Sequence, residues 1–226
     1  MFALAAAKRS MRRSRTKLRR ALLALLGAAA CGGAAPVPAP RCPADGEIAV
    51  IASRGDVVRL ADCASAGGLI VRSAAALDVS GLRALAVIRG DLVIGPTVAV
   101  DQVSLGALRE VGGTIRVVGN GLLQRLHLPA LERAGRIDID GNPALAAIAL
   151  PRLREVGGAL RITDNAALEI VDASALAVIA RELVIASDPA LTLLDAPALQ
   201  RAGAVQIDAA KLPADEIERL RAIAAP

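Results

Sequence analysis

The stretch from residue 112 to residue 180 reads GGTIRVVGNGLLQRLHLPALERAG (112–135), GRIDIDGNPALAAIALPRLREVGG (135–158) and GALRITDNAALEIVDASALAVIA (158–180), three renderings of one frame of 22 or 23 residues. Each opens on two apolar residues spaced by two: Ile115/Val117, Ile137/Ile139 and Leu160/Ile162. Three residues later stands Asn120, Asn142 or Asn165, and three beyond that Leu123, Leu145 or Leu168. A second apolar edge follows, with Leu126, Ile148 or Val171 and then Leu131, Leu153 or Leu176. Ala134, Val156 or Ile179 closes the frame. The alternation of 22 and 23 has a visible cause, because Gly112-Gly113 and Gly157-Gly158 are doubled at the corner where Gly135 and Gly203 stand alone.

The frame extends outward in both directions. Leu92/Ile94 precede these units, and Leu183/Ile185 and Val205/Ile207 follow them, with Asp188 where the others carry asparagine. Two less regular pairs, Ile48/Val50 and Leu69/Val71, open the series. A period of two turns both members of a pair to the same side of a strand. A single unit of this kind has no partner against which to bury them, so neighbouring units must stack. The expected fold is a β-solenoid of right-handed coils of 22 or 23 residues, each contributing one short parallel strand. Its eight coils, stacked at about 4.8 Å, predict a rod of about 40 Å. Asn120, Asn142, Asn165 and Asp188 are expected to form a structural ladder, since a side-chain amide repeated in every coil can satisfy the main chain of the next. After Pro213 the pattern changes to ADEIERLRAIAAP, a helix over 213–226 with Asp215 as its cap and Ile217, Leu220 and Ile223 on the face that covers the last coil.

The other end of the chain is of a different kind. From Met11 it reads MRRSRTKLRR, then ALLALLGAAA, then Cys31: a positive segment, a ten-residue apolar segment and a small-residue processing site. Residues 1–30 are therefore expected to be a signal peptide, too short to serve as a spanning helix. Arginine pairs occur, but the remainder of a twin-arginine motif is missing, so general secretion is expected. Ala28, Ala29 and Ala30 ahead of Cys31 resemble a bacterial lipobox, with Ala28 where leucine is usual. That resemblance implies lipidation at Cys31, and Gly32 in place of aspartate implies passage to an outer membrane. The Pro-rich stretch over 31–41 is expected to be a tether of about 30 Å when extended. With Cys31 assigned to lipid, Cys42 and Cys63 remain in an oxidising compartment and are expected to form a disulfide.

Composition narrows the function further. The formal charge of +5 is misleading, because eight of the 27 basic residues lie in 1–30 and the rest of the chain carries 19 against 22 acids, a net −3. No clustered basic surface is left for nucleic acid. Phe2 is the only aromatic residue, which removes ring-stacking sugar subsites and base platforms. His127 is the single histidine, expected on an exposed loop, and no nucleophile–base pair can be assembled around it. Asp138-Ile139-Asp140-Gly141-Asn142 superficially resembles a calcium loop but lacks its further ligand positions. Neither a metal nor a cofactor is expected, and no catalytic residue is assigned. The repeat frame also produces an outward row, Val93, Arg116, Asp138, Arg161, Val184 and Gln206. With Arg136, Asp140 and Glu182 beside it, Arg116, Asp138 and Arg161 form the candidate recognition face.

Over 42–212 the chain resembles the receptor L domain, on the strength of the three quoted repeats and of the C-x20-C spacing ahead of GGLIV. An ordinary leucine-rich-repeat horseshoe shares the L-x-I-x-x-N core, but the glycine corners and the LPxL edge favour the L-domain likeness. The resemblance implies a binding or display module; growth-factor binding does not follow, because the cysteine-rich module, the spanning segment and the kinase segment are missing. The function expected is that of an exported, membrane-anchored envelope protein that presents the solenoid to a protein or glycan partner. The alternative is a structural envelope component without a discrete ligand.

Overall fold

The structure, a computed structural model, describes residues 42–44 and 46–224. In chain order it contains β1 (Ile48–Ile51), α1 (Arg54–Leu60), β2 (Ser65–Ala66), β3 (Gly68–Val71), β4 (Val87–Ile88), β5 (Leu92–Ile94), β6 (Gln102–Ser104), β7 (Glu110–Val118), β8 (Arg125–His127) and β9 (Arg133–Asp140). It continues through β10 (Ala147–Ala149), β11 (Glu155–Val156), β12 (Leu160–Thr163), β13 (Ile170–Asp172), β14 (Val178–Ala186), β15 (Leu193–Asp195), β16 (Arg201–Asp208) and α2 (Ala214–Ala222). The expected Cys31 lipidation, the signal peptide and the tether lie outside the described residues.

The apolar pairs become one wall of a parallel β-solenoid of about seven turns. Leu69, Leu92, Ile115, Ile137, Leu160, Leu183 and Val205 pair in succession, each with its equivalent in the next coil. Their inward side chains form unbroken aliphatic ladders in which Ile94, Val117, Ile139, Ile162 and Ile185 are wholly buried. One expectation about this wall needs correction. Each coil holds more than one strand: β6, β8, β10, β13 and β15 make a separate five-stranded parallel sheet on the second apolar edge. The residues that close the frame pair as well, Ile88 with Val111, Val111 with Ala134, and Val156 with Ile179. Extended segments stacked at coil spacing align their N–H and C=O groups with those of the coil below, and buried main-chain groups require such partners.

The register of the first coil also differs from expectation. Ala49 and Ile51 face inward, pairing with Leu69 and Val71, while Ile48 and Val50 project outward at 59% and 49% exposure. Every residue of IAVI is apolar, so alternation within it cannot choose a face; pairing with β3 does. A slip of one residue exchanges the two faces.

Successive coils approach closely at the glycine corner. A Cβ on Gly135 would run into the carbonyl oxygens of Gly112 and Gly113, which excludes every larger residue.

Both ends of the rod are covered. At the start, α1 was not expected from the repeat, although Ser53 and Asp56 carry its capping box: Ser53 Oγ accepts from the Asp56 N–H, and Asp56 accepts from the Ser53 N–H at 3.0 Å. The helix buries Val57 and Leu60 over the first coil. The Cys42–Cys63 disulfide, with a Cα–Cα distance of 5.3 Å, ties the chain's approach to the segment following α1. Replacing both cysteines by alanine is expected to cost about 3 kcal/mol, because the bridge closes a loop of about 20 residues in the unfolded chain. Urea unfolding of the double variant against the oxidised parent measures this, and an unchanged midpoint would show that the loop contributes nothing. At the other end, α2 places Leu220 in the core, with Ile217 and Ile223 packed against it. Asp215 does not cap it: the N-cap position is Pro213, and Asp215 lies in the first turn, where its charge suits the helix dipole. Arg219 and Arg221 donate to the Ala196 and Ile207 carbonyls, each at 3.1 Å.

Candidate recognition face

Strand pleating presents the outward residues of the face sheet at fixed spacing. Arg116 pairs in register with Asp138, and Asp138 with Arg161, so the predicted row is laterally continuous. Its charges are largely engaged with one another. Arg136 Nε donates to both Asp138 oxygens at 2.9 and 2.8 Å, and this carboxylate holds the Arg136 guanidinium above its usual pKa. Arg161 Nε donates to Glu182 Oε1 at 3.1 Å, and Thr163 Oγ1 to Asp140 Oδ1 at 2.6 Å. The Arg116 side chain has no hydrogen-bond or ion-pair partner among the described residues. Together Arg116, Arg136, Asp138, Asp140, Arg161 and Thr163 line a shallow groove of about 300 Å³. Exposed ion pairs of this kind contribute about 0–1 kcal/mol to stability, so the array sets the chemistry of the surface more than it sets the fold.

The corrected first coil adds what the sequence reading missed. Ile48 and Val50 continue into Ile70 and Val93 on the same outward side, so the face is apolar at its amino-terminal end and charged in the middle. A groove of about 540 Å³ runs there between Ile48, Ile70 and Val93, with Arg89 and Asp91 at its rim. An apolar patch edged by charge is the composition of a contact surface. The available signal was IAVI itself, whose four apolar residues are two more than a strand with one buried face requires.

The other candidates resolve differently. Asn120, Asn142 and Asn165 are wholly buried, and Asp188 nearly so. Asn142 Oδ1 accepts from the Asn120 N–H and Nδ2 at 3.1 and 2.9 Å, and its own Nδ2 donates to Asn165 Oδ1, Val117 O and Asp140 O. Thr97, which the sequence frame did not mark, is the first rung: its Oγ1 donates to Asn120 Oδ1 at 2.8 Å. Asp138, Asp140 and Asn142 do not converge on a common point, since their partners are Arg136, Thr163 and the ladder respectively. Among the described residues no three His, Cys, Asp or Glu side chains group as a metal site.

His127 corrects an expectation. It is half-buried on β8, in line with Ser104 and Ala149, and not on an exposed loop. The edge that carries it is a strand because the neighbouring coils pair with it. No family model matches the chain, and no curated protein or solved structure matches it either.

Proposed function

We propose that the chain is an exported, lipid-anchored envelope protein whose mature part is a non-catalytic recognition module for a protein or glycan, similar in kind to the receptor L domain. The observation that carries this reading is the outward side of the face sheet. It joins the exposed Ile48 and Val50 to the unpaired Arg116 and the groove around Asp138 on one rigid surface. A rigid surface binds without ordering a loop, so little of its interaction energy is lost to entropy. The signal-like segment and Cys31 supply the expected address, with an outer membrane as the destination.

A structural envelope role without a discrete ligand is favoured by a different observation, the mutual pairing of Arg136 with Asp138 and of Arg161 with Glu182. One experiment separates the two. Cys31→Ser is expected to release the protein from the membrane fraction and abolish the acyl mass. Envelope partners retained by the released protein are then compared between Asp138→Arg and His127→Ala. Asp138→Arg aligns three arginines across the face and is expected to weaken a specific partner at least tenfold, while His127→Ala leaves binding unchanged. Loss of binding only with His127→Ala would move the site to the second sheet. Retention of no partner at all would favour the structural role.

A further inference from the structure

The ladder ends on an atom of the wrong kind. Asp188 is 1% exposed, and its Oδ1 accepts from the Asn165 N–H and Nδ2 at 2.8 and 3.1 Å, as Oδ1 of Asn142 and of Asn165 does for the rung before it. Its Oδ2 therefore stands where the asparagine rungs carry Nδ2. In the preceding rung that amide donates to Thr163 O at 2.8 Å and to Ile139 O at 3.3 Å. Strand register carries those two carbonyls to Ala186 and Ile162 for Asp188. A carboxylate oxygen has nothing to donate to them, and Oδ2 is buried without a hydrogen-bond partner. A protonated carboxyl restores the donor.

The geometry points to Asp188 as a proton-operated latch on the carboxy-terminal coils: protonated, its Oδ2–H replaces the missing amide donor, and ionised, Oδ2 faces two carbonyl oxygens and the last coils loosen. The surrounding charges work in the same direction. Burial holds the carboxyl above the ordinary aspartate range against the two Asn165 donors, and Asp164 and Asp140 add like charge from the two coils before it. In the coil after it, Asp208 pairs with Ala186, and Lys211 is the next cation along that turn. The same coil is weak in a second respect. The residue ahead of each rung from Asn120 to Asp188 adopts a left-handed φ, which Gly119 and Gly141 accept freely and an aspartate, Asp164, tolerates, whereas Ser187 adopts it at 60°.

The folded state binds this proton more tightly than the unfolded chain does. Its contribution is therefore fully present below the unfolded value of about 3.9 and is lost as pH rises through the raised folded value. The test uses the purified chain and Asp188→Asn, which supplies the amide permanently. Above the ordinary carboxylate range the variant is expected to melt a few degrees higher than the parent, with the gap closing on acidification. Infrared titration of the parent is expected to show one protonated carboxyl band that persists to higher pH than the rest and is absent from the variant. Hydrogen-exchange protection factors across 183–212 should fall with rising pH in the parent alone. A variant less stable than the parent above the carboxylate range, a melting gap independent of pH, or the absence of a late-titrating carboxyl overturns the latch. Loss of protection spread evenly along the solenoid overturns its confinement to the last coils.

Discussion

Asn142→Ala is expected to destabilise the protein by about 3 to 5 kcal/mol, the largest effect of any single substitution considered. The side chain has no exposed surface and holds three neighbouring coils together. Its removal strands the Asn120 N–H, takes a donor from the Val117 carbonyl, and cuts one of the two donations reaching Asn165 Oδ1. Each buried group left unsatisfied costs about 1 to 3 kcal/mol, and the vacated volume adds to this. Because the solenoid is stabilised coil upon coil, weakening one interface also separates what lies before it from what lies after. Urea unfolding is therefore expected to show a lower midpoint together with a shallower or two-step transition. A loss below about 1 kcal/mol in a single sharp transition would mean that the ladder is incidental to folding.

A comparable loss, about 2 to 5 kcal/mol, is expected for Ile162→Ala. Ile162 sits at 0% exposure between Ile139 and Ile185, and truncation opens a void that neither neighbour can fill without leaving its own rung. The adjacent Arg161→Ala removes a larger side chain, yet should change stability by only about 0–1 kcal/mol, since its pair with Glu182 is partly exposed on both sides. Guanidinium unfolding of the two variants side by side measures the contrast. Equal losses at these consecutive positions would be incompatible with the inward and outward assignment of the whole face.

That assignment was readable from the central coils because apolar and polar residues alternate cleanly there: in LRIT (160–163) only one register buries Leu160 and Ile162 and leaves Arg161 in water. The asparagine ladder was readable for a related reason, since a polar residue recurring at one position among apolar ones needs a repeated partner. The first coil was not, because IAVI offers two equally apolar faces. Its true register leaves Ile48 and Val50 exposed, and with them the apolar half of the candidate face.

The repeat period, the inward ladders and the cysteine pair follow from local order in the chain, because each depends on residue type and spacing within a coil or two. The second sheet, the half-buried strand position of His127, the pairing of Arg161 with Glu182 and the orphaned oxygen of Asp188 are decided only by tertiary structure. Each depends on which atoms of one coil meet which atoms of another 21 to 23 residues away. Sequence spacing puts residues in the same row; the contact between coils determines which of them find partners and which are left facing water or a carbonyl oxygen.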